Sequence, residues 1–435
     1  MKRQLSPIWQ IFPSPIIAGF YSPLGQYIQL NIISGEKLEE IKAAPTFQYL
    51  EYNSLINHEY RHWADHNLTL WGLKNNIDIF NAYSGRLSFD EQKFFRVKQL
   101  TNTFKKDSLL TYYTEHYNKL TGSLSNPWSY ELTCGVRFND AGFPDKTKPI
   151  VFVKFSTSKN GLKVCRVPLS VRSLLETKAI YEEFLIKNTA IQGIEDIVES
   201  HLQKAKFKSD LESWLYNPDY VEYSVAAHFT STTLRITDVI KAFEISSQVA
   251  TIALNLPHKL VKALPIPEHL APWGQRSQDL LNINDEGFVF FLLLQNYKNN
   301  YSGEFDVNDL LASSGLPEIN DLTNEVLEES YQLISKVDQG HFYPLAIDKI
   351  GFFQTVIPEI SLHFELDKLI AIEWMERHLP PIMCSDTDFD LVEAENFSEI
   401  FYKISYGQKI SFQEFFSVFS WCEYKFEEFV EICGV

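Results

Sequence analysis

The chain has 435 residues, of which 45% are hydrophobic, 22% charged and 14% aromatic, with 33 Phe and 21 Tyr. That balance is globular, long enough for two or three domains, and rich enough in apolar mass to form a large core without disulfide staples. A formal net charge of −17 repels a phosphate backbone and excludes general nucleic-acid binding from the expected functions.

The opening MKRQLSPIWQIFPSPIIAGF is basic and then apolar, but Pro7, Pro13 and Pro15 interrupt it as no signal-peptide core is interrupted. An extended N-terminal segment is expected instead. Residues 16–34 read as one or two short strands around a turn at Pro23–Gly25, and residues 46–67 as a helix. Residues 88–121 read as helical from Ser88. Strand-like runs follow at Ile150–Phe155 and Leu162–Val167, separated by a turn at Lys159–Gly161.

A strongly apolar helix is expected over 170–190, starting near Ser170, and another at Asp238–Leu254. The run FVFFLLLQNY (288–297) is a buried helix or strand, which periodicity alone does not decide. Amphipathic helices continue from 305 to 435. The aromatic run at 410–432 reads as a core-facing stripe, with a partner surface on these C-terminal helices as the second reading. No stretch approaches 18 uninterrupted apolar residues, so no membrane contact is expected. Cys134, Cys165, Cys384, Cys422 and Cys433 are odd in number, widely spaced and without a CxxC. They fit reduced thiols in a cytoplasmic protein and give no support for a thiolate zinc site. A boundary near 195 divides the chain into residues 1–195, carrying the chemistry below, and a mainly helical 196–435.

The chemistry is concentrated in LINHEYRHWADHN (55–67), which contains HExxH. Two histidines four residues apart lie on one helical face and can chelate one ion. Zinc prefers nitrogen donors, and a catalytic zinc keeps a fourth position for water, from which a neighbouring glutamate can take a proton. On a helical wheel Tyr52, Leu55, Ile56, Tyr60 and Trp63 form an apolar stripe with His58 and His62 on its flank. Glu59 falls inside the stripe, where a carboxylate is costly unless an ion or a partner stabilises it. Asn53, Asn57, Arg61 and Ala64 fall on the far side, giving the helix one wetter face. The bland alternative is a pair of hydrogen-bonded core histidines beside a salt-bridged Glu59.

In these residues the chain resembles the zincin metallopeptidases, with His58 and His62 as ligands and Glu59 as base. The resemblance covers this helix strictly and residues 20–190 loosely. It implies an α+β zincin-like core, with a small mixed sheet, the HExxH helix beneath it and a second metal helix, followed by a mainly helical region. It departs from the usual pattern at the charged Arg61. Asp65 and Leu68 stand where the metzincin branch has Gly and a third His.

A gluzincin-type site implies a third ligand from a glutamate on a later helix. Glu176 fits best, since its helix (167–184) is apolar over most of its circumference and Ala179 would let a second helix approach. Its bland reading is an i, i+4 pair with Arg172. Glu183, Glu131, Glu115 and Glu91 are alternatives, Glu91 also fitting a capping box with Ser88. His66 or Asp65 would orient a ligand rather than bind the ion. Tyr181, Tyr223 and His228 are conceivable donors to an anionic intermediate. Asp386, Asp388 and Asp390 alternate as in a calcium loop but lack its glycine and closing glutamate. The expected protein is a cytoplasmic metallopeptidase with one Zn2+ per chain, Glu59 as general base on zinc-bound water, and a protein or peptide as substrate. A non-catalytic interaction protein with a structural or vestigial metal site is the rival, and a hydrolase of a non-peptide substrate a third reading.

Overall fold

The computed structural model describes residues 18–43, 49–96, 100, 113–139, 141–360, 378–387, 397–406, 408 and 412–433. In chain order the main elements are β1 (Gly19–Ser22), β2 (Tyr27–Leu30), α1 (Gly35–Ala43), α2 (Leu50–Asn67), α3 (Leu70–Leu87), β3 (Glu115–His116), β4 (Trp128–Phe138), β5 (Pro144–Thr157) and β6 (Lys163–Pro168). Helices follow: α4 (Val171–Gln192), α5 (Ile197–Leu215), α6 (Val221–Leu234), α7 (Val239–Asn255), α8 (Gln275–Asn282), α9 (Glu286–Tyr297), α10 (Val307–Ser313), α11 (Ile319–Leu333) and α12 (Tyr343–Ile360). Strand β7 (Ile382–Met383), α13 (Phe397–Ser405) and α14 (Phe412–Cys433) complete the set. The fold is α+β, mainly helical with two small sheets. No helix among the described residues is long and apolar enough to cross a membrane.

Contacts divide the chain into two units, one built from residues up to Ser108 and from Val326 onward, the other from Leu109–Glu325. The division differs from the expected one at 195. That boundary would fall within a helical bundle, because α4 packs on α6 and α7.

In the first unit β2 lies between β1, antiparallel to it, and β7, parallel to it. Helix α2 packs on β1 and β2, and α3 packs on both α2 and α12. Helix α3 starts where Thr69 accepts the Gly72 N–H (3.0 Å), satisfying a donor the helix leaves over. The C-terminal aromatic stripe turns inward: Phe416 joins Phe20, Tyr27 and Met383, and Phe419 meets Phe80, Tyr83 and Phe342 edge to face.

In the second unit four antiparallel strands run in the order β3-β6-β5-β4. Helix α8 packs on β5 and α6 on β6, while α9 packs on α4, α6 and α7. The run at 288–297 is a helix, started by Asp285, whose side chain accepts the Phe288 N–H (2.9 Å). Asp238 opens α7 in the same way through Lys241 N–H (3.1 Å). Of the expected helix over 88–121, residues 97–99 and 101–112 lie outside the described residues, and the described flanks differ from the reading. Asp90 caps a single turn, Glu91–Phe94, and Glu115–His116 pairs as a strand with Arg166 and Cys165. The N-terminal segment 1–17 and residues Asp388 and Asp390 lie outside the described residues, and Asp386 accepts the Gly35 N–H (2.8 Å).

Candidate metal centre

The second half of α2 is buried around its whole circumference, and this corrects the expected wetter side. Arg61 is 1% exposed because its guanidinium meets Asp65 one turn later, with Nη2 2.7 Å and Nε 3.2 Å from Oδ1. A buried arginine holds its charge only where a carboxylate of good geometry replaces lost water. Asp65 is therefore engaged by Arg61.

On the adjoining face the His58 and His62 rings stand edge to face, centroids 4.7 Å apart at 85°. Their Nε2 atoms are 3.1 Å apart and both rings are buried. Two imidazole nitrogens each about 2.0–2.1 Å from one tetrahedral zinc lie about 3.3 Å from each other. The helix alone thus brings the pair close to chelating geometry. The same spacing suits one ring donating Nε2–H to the other.

Glu59 is 2% exposed and lies towards β1. A Cβ placed on Gly19 would come 3.5 Å from Glu59 Oε1 and 3.0 Å from the Gln29 carbonyl. The glycine leaves room for strand and carboxylate together.

Glu176 sits on α4, 1% exposed, with Ala179 fully buried one turn on. Arg172 reaches across to Glu222 of α6 (3.4 Å). Thr177 Oγ1 donates to the Tyr223 carbonyl (3.2 Å), tying α4 to α6 beside this carboxylate. Burial first, then the Glu176 charge, pushes the Tyr223 hydroxyl far above the ordinary phenol range.

His58 and His62 belong to the first unit and Glu176 to the second. Glu91, Glu115 and Glu131 are exposed; Glu115 pairs with Arg166 (3.2 Å) and Glu131 with Lys154 (3.3 Å). Glu183 is half-buried. His66 turns to Tyr21 instead. Its Nδ1 lies 3.3 Å from the Tyr21 hydroxyl, and burial, helped by the Lys349 charge, drives its pKa down to about 3. His228 is sandwiched by Trp128, Phe155 and Tyr216, with Nε2–H donating to the Leu215 carbonyl, and burial lowers its pKa to about 4. That is a core role. A cleft of about 530 Å³ in the first unit is lined by Leu38, Tyr60, Pro381 and Cys384. Tyr60 is two positions from each histidine, so this cleft adjoins the opposite face of α2.

Sequence reasoning missed the groups that hold α2 in place: Gly19 against Glu59, Asn76 donating to the His66 carbonyl (2.9 Å), and Lys349 on Asn67 (2.7 Å). Only the polarity of Asn67 and Asn76 inside apolar helices signalled them. Comparison with protein families, curated proteins and solved structures finds no match to this chain.

Proposed function

We propose that the protein is a zinc-dependent hydrolase acting on peptide bonds, with His58, His62 and Glu176 as ligands of one ion and Glu59 as general base. The observation that carries it is the pair of buried imidazoles on one helical face, Nε2 atoms 3.1 Å apart, with the buried Glu59 next to the first of them in the chain. Two imidazoles and a carboxylate are a donor set that suits zinc and leaves a fourth position. A bound zinc ion would supply Lewis acidity towards a scissile carbonyl and acidify water. Glu59, adjacent to the first ligand and withdrawn from solvent, takes the proton of the attacking water and passes it to the leaving amine.

The zincin-like core belongs to the same proposal; a motif helix packed on a small mixed sheet supports it. So does the cytoplasmic assignment, supported by free thiols at Cys134, Cys165, Cys384 and Cys422. The depth of the donors, 6%, 1% and 1% exposed for His58, His62 and Glu176, favours a second reading, a structural zinc in an interaction protein.

Metal analysis and the Glu59→Gln variant separate them. The hydrolase reading expects one zinc per chain in both proteins, and cleavage of a mixed peptide library by the wild type only. Zinc with no cleavage by either protein leaves the structural reading. No zinc in a folded, zinc-supplemented sample ends both.

A further inference from the structure

The last turn of α2 enters a chain of buried polar groups contained within the first unit. Lys349 of α12, 6% exposed, donates to Asn67 Oδ1 (2.7 Å). The Asn67 amide donates to the Trp63 carbonyl (2.9 Å) and to the Tyr21 hydroxyl oxygen (3.4 Å). Tyr21 in turn faces His66 Nδ1. Tyr21 and Gly19 are two positions apart on β1, so they share the face of the strand that meets α2, and Gly19 is where Glu59 rests.

An ammonium is an expensive way to fill this volume. Burial lowers the Lys349 pKa to about 8 against the opposing charge of Asp348, which itself lies 3.8 Å from His378. A methionine would pack a similar stem without the desolvation. What the lysine adds is an oriented donor: it fixes which way the Asn67 amide points, leaving the amide nitrogen for Trp63 and Tyr21.

We propose that Lys349 is a positioning residue for the motif helix, holding the last turn of α2 on β1 through Asn67 and so setting the aim of His62 and Glu59. The proposal rests on the metal reading above. It predicts that removing the ammonium weakens metal binding without weakening the fold.

The test titrates the full-length protein with cobalt(II), following the visible absorption of the bound ion, and measures unfolding midpoints on the same samples. Wild type should bind one cobalt. Lys349→Met should unfold at the wild-type midpoint or above it, yet bind cobalt about ten-fold or more weakly, the size of effect seen when groups orienting a ligand are lost. Its absorption band should shift. Phe353→Leu, a packing change in the same helix, should lower the midpoint and leave affinity and band unaltered. If Lys349→Met does not fold, Tyr21→Phe, which removes the next group in the chain, is judged on affinity and band in the same way. Unchanged affinity and band, or a loss matched by Phe353→Leu, overturns the proposal while the metal reading stands. A wild type that binds no cobalt overturns both.

Discussion

Arg61 and Asp65 show how far one helical turn depends on surroundings that come from elsewhere in the chain. Removing one partner of a buried ion pair strands the other charge, at about 3–5 kcal/mol. Asp65→Ala should therefore unfold at much lower urea than wild type, while replacing both residues by apolar ones of similar volume should recover most of the loss. Circular dichroism across a urea titration measures both. The histidines should behave oppositely: if the proposed zinc site holds, His58→Ala or His62→Ala should lose the metal with a smaller effect on the apo fold, since each removes a single ring from an edge-to-face pair. Metal content and apo midpoint, measured side by side, check that contrast.

Between elements, one close approach is where α3 begins against the end of α2. A Cβ on Gly72 would sit 2.3 Å from the His66 carbonyl oxygen and 2.5 Å from His66 Cα, both rigid backbone atoms. Gly72→Ala should push α3 off α2 and cost about 1–3 kcal/mol or more. Thr69→Ala, which removes the cap of α3 and the hydroxyl's own bond to the Asp65 carbonyl (2.6 Å), should cost about 1–2 kcal/mol. Thermal unfolding of the two variants ranks them.

The caps and glycines are also where the sequence was most legible. Ser170 and Asp238 mark helices that form within a residue or two of the reading, and the turns at Pro23–Gly25 and Lys159–Gly161 fall between paired strands. HExxH gave the histidine pair directly, since i, i+4 geometry is local. What was hidden is non-local. Strand β7 has two residues and exists because β2 offers it an edge. The supposed dry and wet faces of α2 were drawn from the helix alone, and a wheel cannot register that Lys349 and α12 return to cover it.

Across the molecule, His66 in the first unit and His228 in the second both stay neutral far below the ordinary histidine pKa of 6.5. Their folded-state values are lowered, to about 3 and about 4. As pH falls through 6.5 the unfolded chain takes up these protons and the folded one does not. Stability is therefore full above 6.5 and falls below it, by about 1.4 kcal/mol per pH unit for each group until its own folded pKa is reached. Urea midpoints followed by a probe in each unit should drop between pH 6.5 and 4.5. Replacing His228 by a neutral aromatic should flatten the decline for the second unit only. On the proposed zinc reading, a chelator should lower the midpoint at constant pH in wild type and Glu59→Gln alike, because any ligand bound only by the folded state adds to its stability.

The first unit is assembled from both ends of the chain. Gln29 of β2 donates to the Cys384 carbonyl across 355 residues, and at ~5–20 residues per second a ribosome takes roughly 20–70 s to deliver the second after the first. Throughout that interval the nascent β1–β2 hairpin has an unsatisfied edge, while the intervening unit is synthesised as one uninterrupted run. The edge left waiting is the kind that seeds intermolecular strand pairing, so translation arrested before β7 should yield an aggregating product that depends on chaperones for its solubility.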